Sequence, residues 1–377
     1  MNHAIKDRLI EADVLVVGAG PAGAVCALNL APMWRVLMVD RRQAADIRIG
    51  ESLAPAARRL LADMRLWDAF LAQGHRPSFG GRSVWGGPEP VERDNLRDLD
   101  GPGWHLDRTR FDDWLRGIAV QRGAAVLVPA RPRTIVRDGA TWRLDLDVDG
   151  RPVPATARVL VDAGGRGSTV AHGLGGRRVV TDRLVCGWLH GRDAPDRQGG
   201  MTHIEAEPEG WWYTAPLPNN RRVVAFHTDS DLPAAEVAAG GPASLLRRAS
   251  ERGFLSDVLG GSGFSPDGIG GFCAAHSAEL VSAAGDGWLA VGDSALSFDP
   301  LSAQGLFNAL YTGLAGAEAA DRALSGETGA LGGYAASLSP VRDAYRTHLD
   351  AWYGLERRWP ERPFWKRRLR PTLPPPP

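Results

Sequence analysis

The chain has 377 residues, of which 44% are hydrophobic, and its formal net charge is zero. That length and apolar content predict two or three lobes with a sizeable core. The balanced charge argues against a nucleic-acid-binding surface. The three cysteines, Cys26, Cys186 and Cys273, show neither a disulfide framework nor metal-ligand spacing, so we expect no metal site and a cytoplasmic location. No run approaches the roughly 20 apolar residues of a membrane span. The oligomeric state is left open.

Residues 13–40 have the pattern of a dinucleotide-binding unit. An unbroken apolar run at 14–17 is typical of a buried parallel strand, and Gly18-Ala19-Gly20-Pro21-Ala22-Gly23 follows it as G-x-G-x-x-G. Gly18 would permit the tight turn, Gly20 would let backbone approach a pyrophosphate, and Gly23 would let the helix pack closely. A second strand ends in Asp40, at the distance expected for an acid that binds the ribose.

A helix is predicted over residues 54–70, directly after Gly50-Glu51-Ser52. Two interpretations of that tripeptide stay open. Its backbone N–H groups could face a ring system, or Ser52 could be the helix N-cap with Pro55 in the first turn. Arg108 lies just before the next predicted helix, residues 111–123. The helix dipole disfavours a cation at this end unless an anion lies nearby.

The middle of the chain has the pattern of further strands and of a second Gly-rich loop. Residues 134–158 alternate as a hairpin around Asp149-Gly150. A buried strand at 159–161 ends in Asp162 and a second Gly-rich loop. Strands at 184–190, 211–213 and 222–228 alternate without helical period, which indicates an inserted antiparallel sheet.

The last third predicts a helical region at 234–260, a final buried strand at 288–291 and a long helix at 306–323. Residues 357–377 are rich in arginine, proline and aromatic residues. We predict that this tail is irregular, stays outside the core and helps dock an acidic partner, the alternative being a solvated or self-packed tail.

Three motifs in fixed order carry a family resemblance: GAGPAG at 18–23, VDAGGRGS at 161–168 and AVGDSALSFDPLSAQG at 290–305. Together they resemble the FAD-dependent monooxygenases of the para-hydroxybenzoate hydroxylase type. The resemblance implies an α/β fold, a Rossmann-like FAD-binding domain with an inserted antiparallel β-sheet substrate domain. The implied division is 1–77, 104–180 and 270–330 for FAD, 78–103 and 181–269 for substrate, and 331–377 for a C-terminal helix and tail.

The same resemblance, with the residue patterns above, gives the predicted cofactor contacts. In the family, Asp40 would hold the adenosine ribose, Arg108 would lie along the pyrophosphate, and the segment from Pro300 to Gly305 would pass beneath the isoalloxazine ring. The full set of predicted cofactor-binding residues is Gly18, Gly20, Ala22, Gly23, Asp40, Arg41, Arg48, Arg108, Asp162, Gly164, Asp293, Pro300 and Gly305.

Two further stretches separate branches of the superfamily. Residues 49–52 and 210–216 resemble the flavin-dependent tryptophan halogenases, but Tyr213 and Ala215 break the halogenase motif W-x-W-x-I-P. Halogenases use a lysine downstream of the G-E-S/A motif. The stretch 79–83 has none, because Lys6 and Lys366 are the only lysines in the chain. GESLAPAA, GWHLDR, GWWYTAPLP and FDPLSAQG look most like flavoproteins that mature tryptophylquinone cofactors by hydroxylating a tryptophan of a partner protein.

We therefore predict a flavoprotein monooxygenase that uses a flavin C4a-hydroperoxide, O2, and electrons from NAD(P)H or a separate flavin reductase. Trp211, Trp212 and Tyr213 would line the substrate pocket, with a plain aromatic core as the alternative. Glu51 and His105 are the candidate acid/base groups. Four alternatives stay open: a halogenase with degenerate motifs, a small-molecule aromatic hydroxylase, a flavin reductase or dehydrogenase without oxygen transfer, and a non-catalytic flavoprotein scaffold.

Overall fold

The computed structural model describes residues 9–44, 47–94, 99–195 and 199–369. Lys6 and the proline-rich end of the tail, residues 370–377, lie outside the described residues.

A six-stranded sheet forms the centre of the first domain. Across it the strands are β21 (Ala284–Gly285), β22 (Trp288–Ala290), β13 (Val159–Asp162), β2 (Val14–Val17), β3 (Val36–Val39) and β9 (Ala125–Leu127). All neighbours are parallel except β21 and β22. Every residue of β2, β3 and β13 is buried, because both faces of the sheet are covered, and this explains their unbroken apolar sequences.

Three helices cover one face of this sheet: α1 (Pro21–Leu30), α4 (Arg108–Gln121) and α9 (Gly305–Leu324). A four-stranded sheet covers the other face. Its strands are, in order, β1 (Ile10–Glu11), β12 (Arg151–Ala157), β11 (Thr141–Val148) and β10 (Ala130–Asp138). The predicted hairpin turn is confirmed, with Asp149 at φ 50° and Gly150 at φ 79°.

A seven-stranded sheet forms the second lobe. Across it the strands are β19 (Ser265–Ala274), β15 (Leu184–Arg192), β18 (Arg221–Asp229), β17 (Gly210–Leu217), β16 (Met201–Glu207), β6 (Gly80–Val84) and β7 (Val91–Asp94). Its pairings are antiparallel except for β16 with β6. The predicted architecture, a Rossmann-like α/β domain with an inserted sheet, is confirmed. The proposed domain boundary at residue 270 falls inside β19.

The outer face of the inserted sheet packs on three helices, α6 (Ala234–Ala239), α7 (Gly241–Ala249) and α8 (Gly253–Ser262). Two small antiparallel sheets join the lobes. One contains β4 (Ser52–Leu53), β8 (Gly103–His105) and β5 (Arg76–Ser78), and the other contains β14 (Arg178–Val180), β20 (Ala278–Leu280) and β23 (Leu296–Ser297). A short helix, α5 (Thr169–Gly173), follows the second Gly-rich loop. Within the described ranges, no helix has the length and apolar character needed to cross a membrane.

The single helix predicted over residues 54–70 is wrong. Two short helices are present, α2 (Ala57–Asp63) and α3 (Trp67–Leu71), and the chain turns between them at Arg65, whose φ is 57°. A residue in the left-handed region cannot continue a right-handed helix. The N-cap interpretation of Ser52 is also wrong, because Ser52 lies in β4 and its hydroxyl hydrogen-bonds to Tyr213 Oη at 2.9 Å.

The tail does not stay outside the core as predicted. It follows the long helix α10 (Ala330–Leu355) and forms α11 (Pro363–Lys366), whose Phe364 and Trp365 are completely buried. Trp365 Nε1 donates to Glu207 O at 2.8 Å, and Arg368 forms a 2.7 Å ion pair with Asp229. Phe364, Trp365, Arg367 and Arg368 of this segment therefore contact the inserted sheet and the turn after it in the same chain.

Candidate active site

One cavity of about 1110 Å³ lies between the two lobes and contacts both Gly-rich loops, the segment before α9 and the inserted sheet. Most of the predicted site residues line it: Gly18, Gly20, Ala22, Asp40, Arg41, Arg48, Glu51, His105, Arg108, Gly164, Trp211, Tyr213, Asp293, Pro300 and Gly305. Gly23, Asp162 and Trp212 are not among its lining residues.

The first Gly-rich loop is held by Asp40 and by close backbone packing. Ala19 N donates to Asp40 Oδ2 at 2.8 Å, so the acid at the end of β3 fixes the loop that follows β2. Gly18 has φ 109°, and a Cβ there would lie 2.2 Å from Ala163 O. At Gly23 a Cβ would lie 1.9 Å from Gly18 O. Both glycines are thus required by the fold, and Gly23 serves helix packing as predicted from the motif.

Gly20 differs from Gly18 and Gly23, the other two glycines of the motif. A Cβ added there meets no protein atom within 4 Å, yet Gly20 lines the cavity directly before the N-terminus of α1. The first N–H groups of a helix have no partner within the helix, and its dipole favours an anion at that end. The open space beside Gly20 therefore fits a phosphate group rather than protein.

Arginines surround the same end of the cavity. Arg108 offsets its unfavourable position at a helix start by pairing with Asp112 at 3.1 Å, while its Nη1 donates to Gly50 O at 2.8 Å. Arg48 lies 3.7 Å from Asp112, its Nε has no hydrogen-bond partner among the described residues, and burial lowers its pKa. A partly buried guanidinium with an unpaired Nε is a suitable partner for a phosphate or ribityl oxygen.

The second Gly-rich loop is organised by Asp162, which is completely buried. Its carboxylate accepts hydrogen bonds from Gly164 N at 3.0 Å, Ala171 N at 2.8 Å and Ser294 Oγ at 2.9 Å. Burial raises the pKa of Asp162, and these donors oppose that shift. The Asp162 side chain therefore connects the second Gly-rich loop to the segment that contains Ser294. Asp162 does not line the cavity, whereas Gly164 and Asp293 do.

The segment before α9 brings a second helix N-terminus to the cavity, at Gly305. Behind this segment, Asp299 accepts a hydrogen bond from Tyr353 Oη at 2.8 Å, and burial, with the nearby charge of Asp182, raises the pKa of Asp299 to about 6. Trp211 Nε1 donates to the same tyrosine hydroxyl at 3.2 Å. Tyr353 therefore ties the flavin segment to the wall of the inserted sheet.

Glu51 also lines the cavity, and it is only 1% exposed. It accepts a hydrogen bond from Gly50 N at 2.8 Å, and its Oε1 lies 3.0 Å from His190 Nε2. Arg221 lies 3.1 Å from His190 Nδ1. Because an arginine can only donate, Nδ1 is the acceptor and the histidine proton is on Nε2, directed at Glu51. His190 thus orients the carboxylate.

His105, the other predicted acid/base candidate, is 1% exposed and lies 2.9 Å from Thr202 Oγ1 through Nε2. Burial, aided by the charges of Arg76 and Arg222, lowers the pKa of His105 to about 3. A group with that pKa is neutral and a weak base at neutral pH, whereas efficient proton transfer favours a pKa near the working pH. The low pKa of His105 argues against it as the acid/base group, and Glu51 is the remaining candidate for that role.

Aromatic rings form the substrate end of the cavity. Trp211 stacks on His227, with ring centroids 3.7 Å apart and 6° between the planes, and both line the cavity together with Tyr213 and Trp188. Trp212 points to the other face of the sheet, where it packs in the cluster with Phe226 and donates to Glu207 at 2.9 Å. Successive strand residues alternate faces, so three adjacent residues cannot share one wall, and the predicted pocket role of Trp212 is not supported.

The cavity fits a flavin dinucleotide together with a substrate. Its volume exceeds the roughly 300–1,000 Å³ typical of a site for one small ligand. Two helix N-termini and several arginines, among them Arg48 and Arg108, line the cavity together with aromatic rings and the carboxylate of Glu51. Among the described residues, no cluster of three or more His, Cys, Asp or Glu side chains is arranged to hold a metal ion.

The sequence profile of the FAD binding domain family matches residues 11–234. The chain belongs to this family. A curated relative, LodB of Marinomonas mediterranea, whose name describes an FAD-dependent oxidoreductase, is 29% identical over 360 residues, 94% of this chain and 96% of LodB. The protein is therefore a flavoprotein enzyme of the FAD-dependent monooxygenase superfamily.

Solved structures of this fold include enzymes with different chemistries. The myxobacterial chondrochloren halogenase CndH is 26% identical, with a TM-score of 0.84 over 96% of this chain and 87% of CndH. The peptidyl tryptophan dihydroxylase QhpG, described as essential for tryptophylquinone cofactor biogenesis, is 24% identical, with a TM-score of 0.73 over 95% of this chain and 78% of QhpG. Both share the fold, so the choice between their reactions depends on the cavity.

Several cavity residues were not predicted from the sequence, namely Trp188, His227 and Trp352 in the lining, and His190 and Tyr353 behind it. The alternation of β15 and β18 would have been a signal for the first two, because it places every second residue on the inner face. Tyr353 lies in α10, 54 positions after Asp299, and no local pattern indicates the contact between these two residues.

Proposed function

We propose that this enzyme is an FAD-dependent monooxygenase that hydroxylates an electron-rich aromatic ring, and that the ring is a tryptophan side chain presented by a partner polypeptide. The observation that carries the proposal is the chemistry of the substrate end: stacked aromatic rings, one oriented carboxylate and no lysine lining the cavity among the described residues. Bound and reduced FAD supplies the activation of O2, with electrons from NAD(P)H or a separate flavin reductase.

The residues of the chain provide position, shielding and a proton acceptor. Tyr213 and the Trp211–His227 stack form a flat wall against which an indole packs through its ring face. Glu51, held by Gly50 N–H and His190, is placed to accept a proton from the ring N–H or from the carbon that gains oxygen. The surrounding apolar rings exclude water, which strengthens the interaction of Glu51 with the bound ring.

A halogenase is the second candidate, because the halogenase CndH shares the fold with a TM-score of 0.84. Within the part of the chain that the structure describes, no lysine lines this cavity as a counterpart of the halogenase lysine. Arg82 occupies the stretch and lines the cavity, where it pairs with Glu92 at 3.0 Å. Lys366 is bound to Glu361 on the surface. A guanidinium does not lose its proton in proteins and does not replace an amine that must react.

The polypeptide substrate is supported by the likeness to QhpG, which is described as a peptidyl tryptophan dihydroxylase. A small-molecule aromatic hydroxylase remains the alternative within the same reaction class. We propose a cytoplasmic location, which is supported by a sequence with three cysteines and no disulfide framework.

The test is the mass change of two substrates, a tryptophan-containing peptide and N-acetyltryptophan amide, after aerobic incubation with the holoenzyme and a reductant. We expect the peptide to gain oxygen, in a yield that added bromide leaves unchanged. Bromine in the product would establish the halogenase instead. Oxygen gained by the free amino-acid derivative but not by the peptide would establish the small-molecule hydroxylase. An unchanged mass for both would contradict oxygen transfer to tryptophan.

A further inference from the structure

Two of the three cysteines meet in the wall of the cavity, although they are 87 positions apart in the chain. Cys186 lies in β15 and Cys273 in β19, and the two are direct partners in the antiparallel pairing of these strands. Both line the cavity that holds the flavin and substrate ends. The third cysteine, Cys26, is completely buried in α1 and does not line this cavity.

The pairing places the two thiols within reach of a covalent bond. Direct partners in an antiparallel pair have Cα atoms about 4.5 or about 5.5 Å apart, depending on the type of pair. Disulfides occur at Cα separations of about 4.4–6.8 Å. Either type of pair thus satisfies the requirement with small local adjustment. Cys186 Sγ donates to Gly187 O at 3.7 Å, and a side-chain hydrogen bond between the two cysteines shifts the pKa of both thiols.

The two thiols differ in character. Burial, reinforced by the hydrogen bond to Cys273, raises the pKa of Cys186, which is 1% exposed. The hydrogen bond from Cys186, aided by the charge of Arg166, lowers the pKa of Cys273, which is partly exposed to the cavity. A partly exposed thiolate next to a protonated partner is the usual arrangement of an attacking and a resolving cysteine.

We propose that Cys186 and Cys273 form a redox-active dithiol site in the cavity wall, which hydrogen peroxide oxidises to an intrachain disulfide. The Cys273 thiolate attacks one peroxide oxygen and breaks the O–O bond, giving a sulfenic acid and, after protonation of the leaving hydroxide, water. The Cys186 thiol then attacks that sulfur and expels a second water. In sum, two thiols and one peroxide give one disulfide and two waters.

The location supplies a reason for such a site. A cavity in which a reduced flavin meets O2 releases peroxide whenever oxygen is not transferred to the substrate. Both thiols lie near Glu51, whose charge raises the pKa of each of them. A resolving cysteine stops oxidation at a reversible stage, before the irreversible sulfinic and sulfonic acids form. The pair would consume peroxide next to the substrate wall.

The experiment treats the reduced holoprotein with hydrogen peroxide, blocks free thiols with N-ethylmaleimide, and determines the intact mass and the peptide map. We expect the loss of two hydrogen atoms, a linked peptide containing residues 186 and 273, and reversal by dithiothreitol. Cys26→Ser should give the same disulfide. In Cys186→Ser, which lacks the resolving thiol, Cys273 should instead gain oxygen atoms.

Added peroxide keeps the test independent of the proposed function, since no substrate turnover is required. Oxygen added to Cys273 of the wild-type protein without a link to Cys186 would overturn the proposal. So would a disulfide between two chains, or two thiols that remain fully reactive toward N-ethylmaleimide after the peroxide treatment. The wild-type measurement decides the question even if the Cys186→Ser variant does not fold.

Discussion

The flavin end and the substrate end of the cavity are built in different ways. The flavin end consists of backbone from three short motifs, each directly after a strand of the central sheet. A Cβ at Gly18 would clash with the backbone of Ala163, and a Cβ at Gly20 would enter the cavity. The substrate end consists of side chains from several strands of the inserted sheet, supported by the C-terminal helix and tail. Recognition of a common cofactor is therefore local in sequence, whereas the substrate wall depends on tertiary packing.

The largest effect should come from Gly20→Val, which tests the flavin end alone. A side chain at this position meets no protein atom at Cβ but enters the space assigned to the pyrophosphate. We expect a folded protein that retains no FAD, measured by the flavin absorbance of the purified protein and by far-UV circular dichroism.

Gly117→Val is the matched control. A Cβ added at Gly117 also meets no atom within 4 Å, but this residue lies in α4 and does not line the cavity. The control variant should keep FAD. Full FAD retention by Gly20→Val would show that the flavin end has been placed wrongly.

Glu51→Gln addresses the substrate end. The amide keeps the shape of the side chain and can accept from Gly50 N–H, but it has lost the carboxylate that takes up a proton. Product formation should fall by about a hundredfold to ten-thousandfold, the usual contribution of a general acid or base, with FAD binding unchanged. Rates from single-turnover experiments with preloaded FAD measure this. A wild-type rate in the variant would exclude Glu51 as the proton acceptor.

Trp365→Ala tests whether the tail is part of the substrate lobe. Because Trp365 is completely buried and its Nε1 donates to Glu207 O, its removal should lower the free energy of unfolding by about 3–5 kcal/mol. Urea denaturation of the holoprotein measures the loss. Trp359→Ala, a half-buried neighbour in the same segment, should cost clearly less. Equal and small losses in both variants would indicate a tail that is only loosely attached.

A smaller effect on stability is expected from pH, and two histidines that line the cavity contribute to it. Burial lowers the pKa of His105 and of His227 to about 3, below the usual value of about 6.5. Above pH 6.5 these side chains are neutral in both the folded and the unfolded protein. Below it the unfolded chain binds protons that the folded protein does not, so stability falls as the pH drops from 6.5 toward 3.

The expected loss is about 1.4 kcal/mol per pH unit for each histidine, measured by denaturation between pH 7 and pH 5. Asp299, whose pKa is raised to about 6, opposes part of this change. His227→Phe keeps a ring beside Trp211 and should reduce the slope by the contribution of one proton. An unchanged slope would mean that His227 is not neutral in the folded protein.

The parts of the site that could be predicted share a physical cause. Gly18, Gly20 and Asp40 lie within one strand–helix–strand unit, so their spacing alone determines where they meet. The same holds for the segment from Pro300 to Gly305, which follows β23 closely. Asp162 ends β13, but its side chain is not among those that line the cavity. Such contacts require only local geometry and a parallel sheet, which residue patterns indicate well.

The parts that could not be predicted depend on long-range packing. Glu51 and His190 are 139 positions apart in the sequence and meet only because β4 and the inserted sheet face the same cavity. The tail was predicted to be irregular from its proline and arginine content, but its buried tryptophan and its ion pairs with Asp229 and Asp231 outweigh that composition. For Trp212 a local pattern was enough to show that the predicted pocket role is not supported. Strand alternation places its side chain on the face opposite to that of Trp211.

The most direct test of the division between the two ends is the ratio of hydroxylated peptide to hydrogen peroxide produced by Tyr213→Leu, measured beside the wild type and Tyr213→Phe. Tyr213 lines the cavity, and its ring is the part assigned to the substrate. We predict that Tyr213→Leu binds FAD and consumes O2 at the wild-type rate, but forms peroxide in place of product, whereas Tyr213→Phe keeps the ring and the product. Loss of FAD in Tyr213→Leu, or an unchanged product-to-peroxide ratio, would contradict the account.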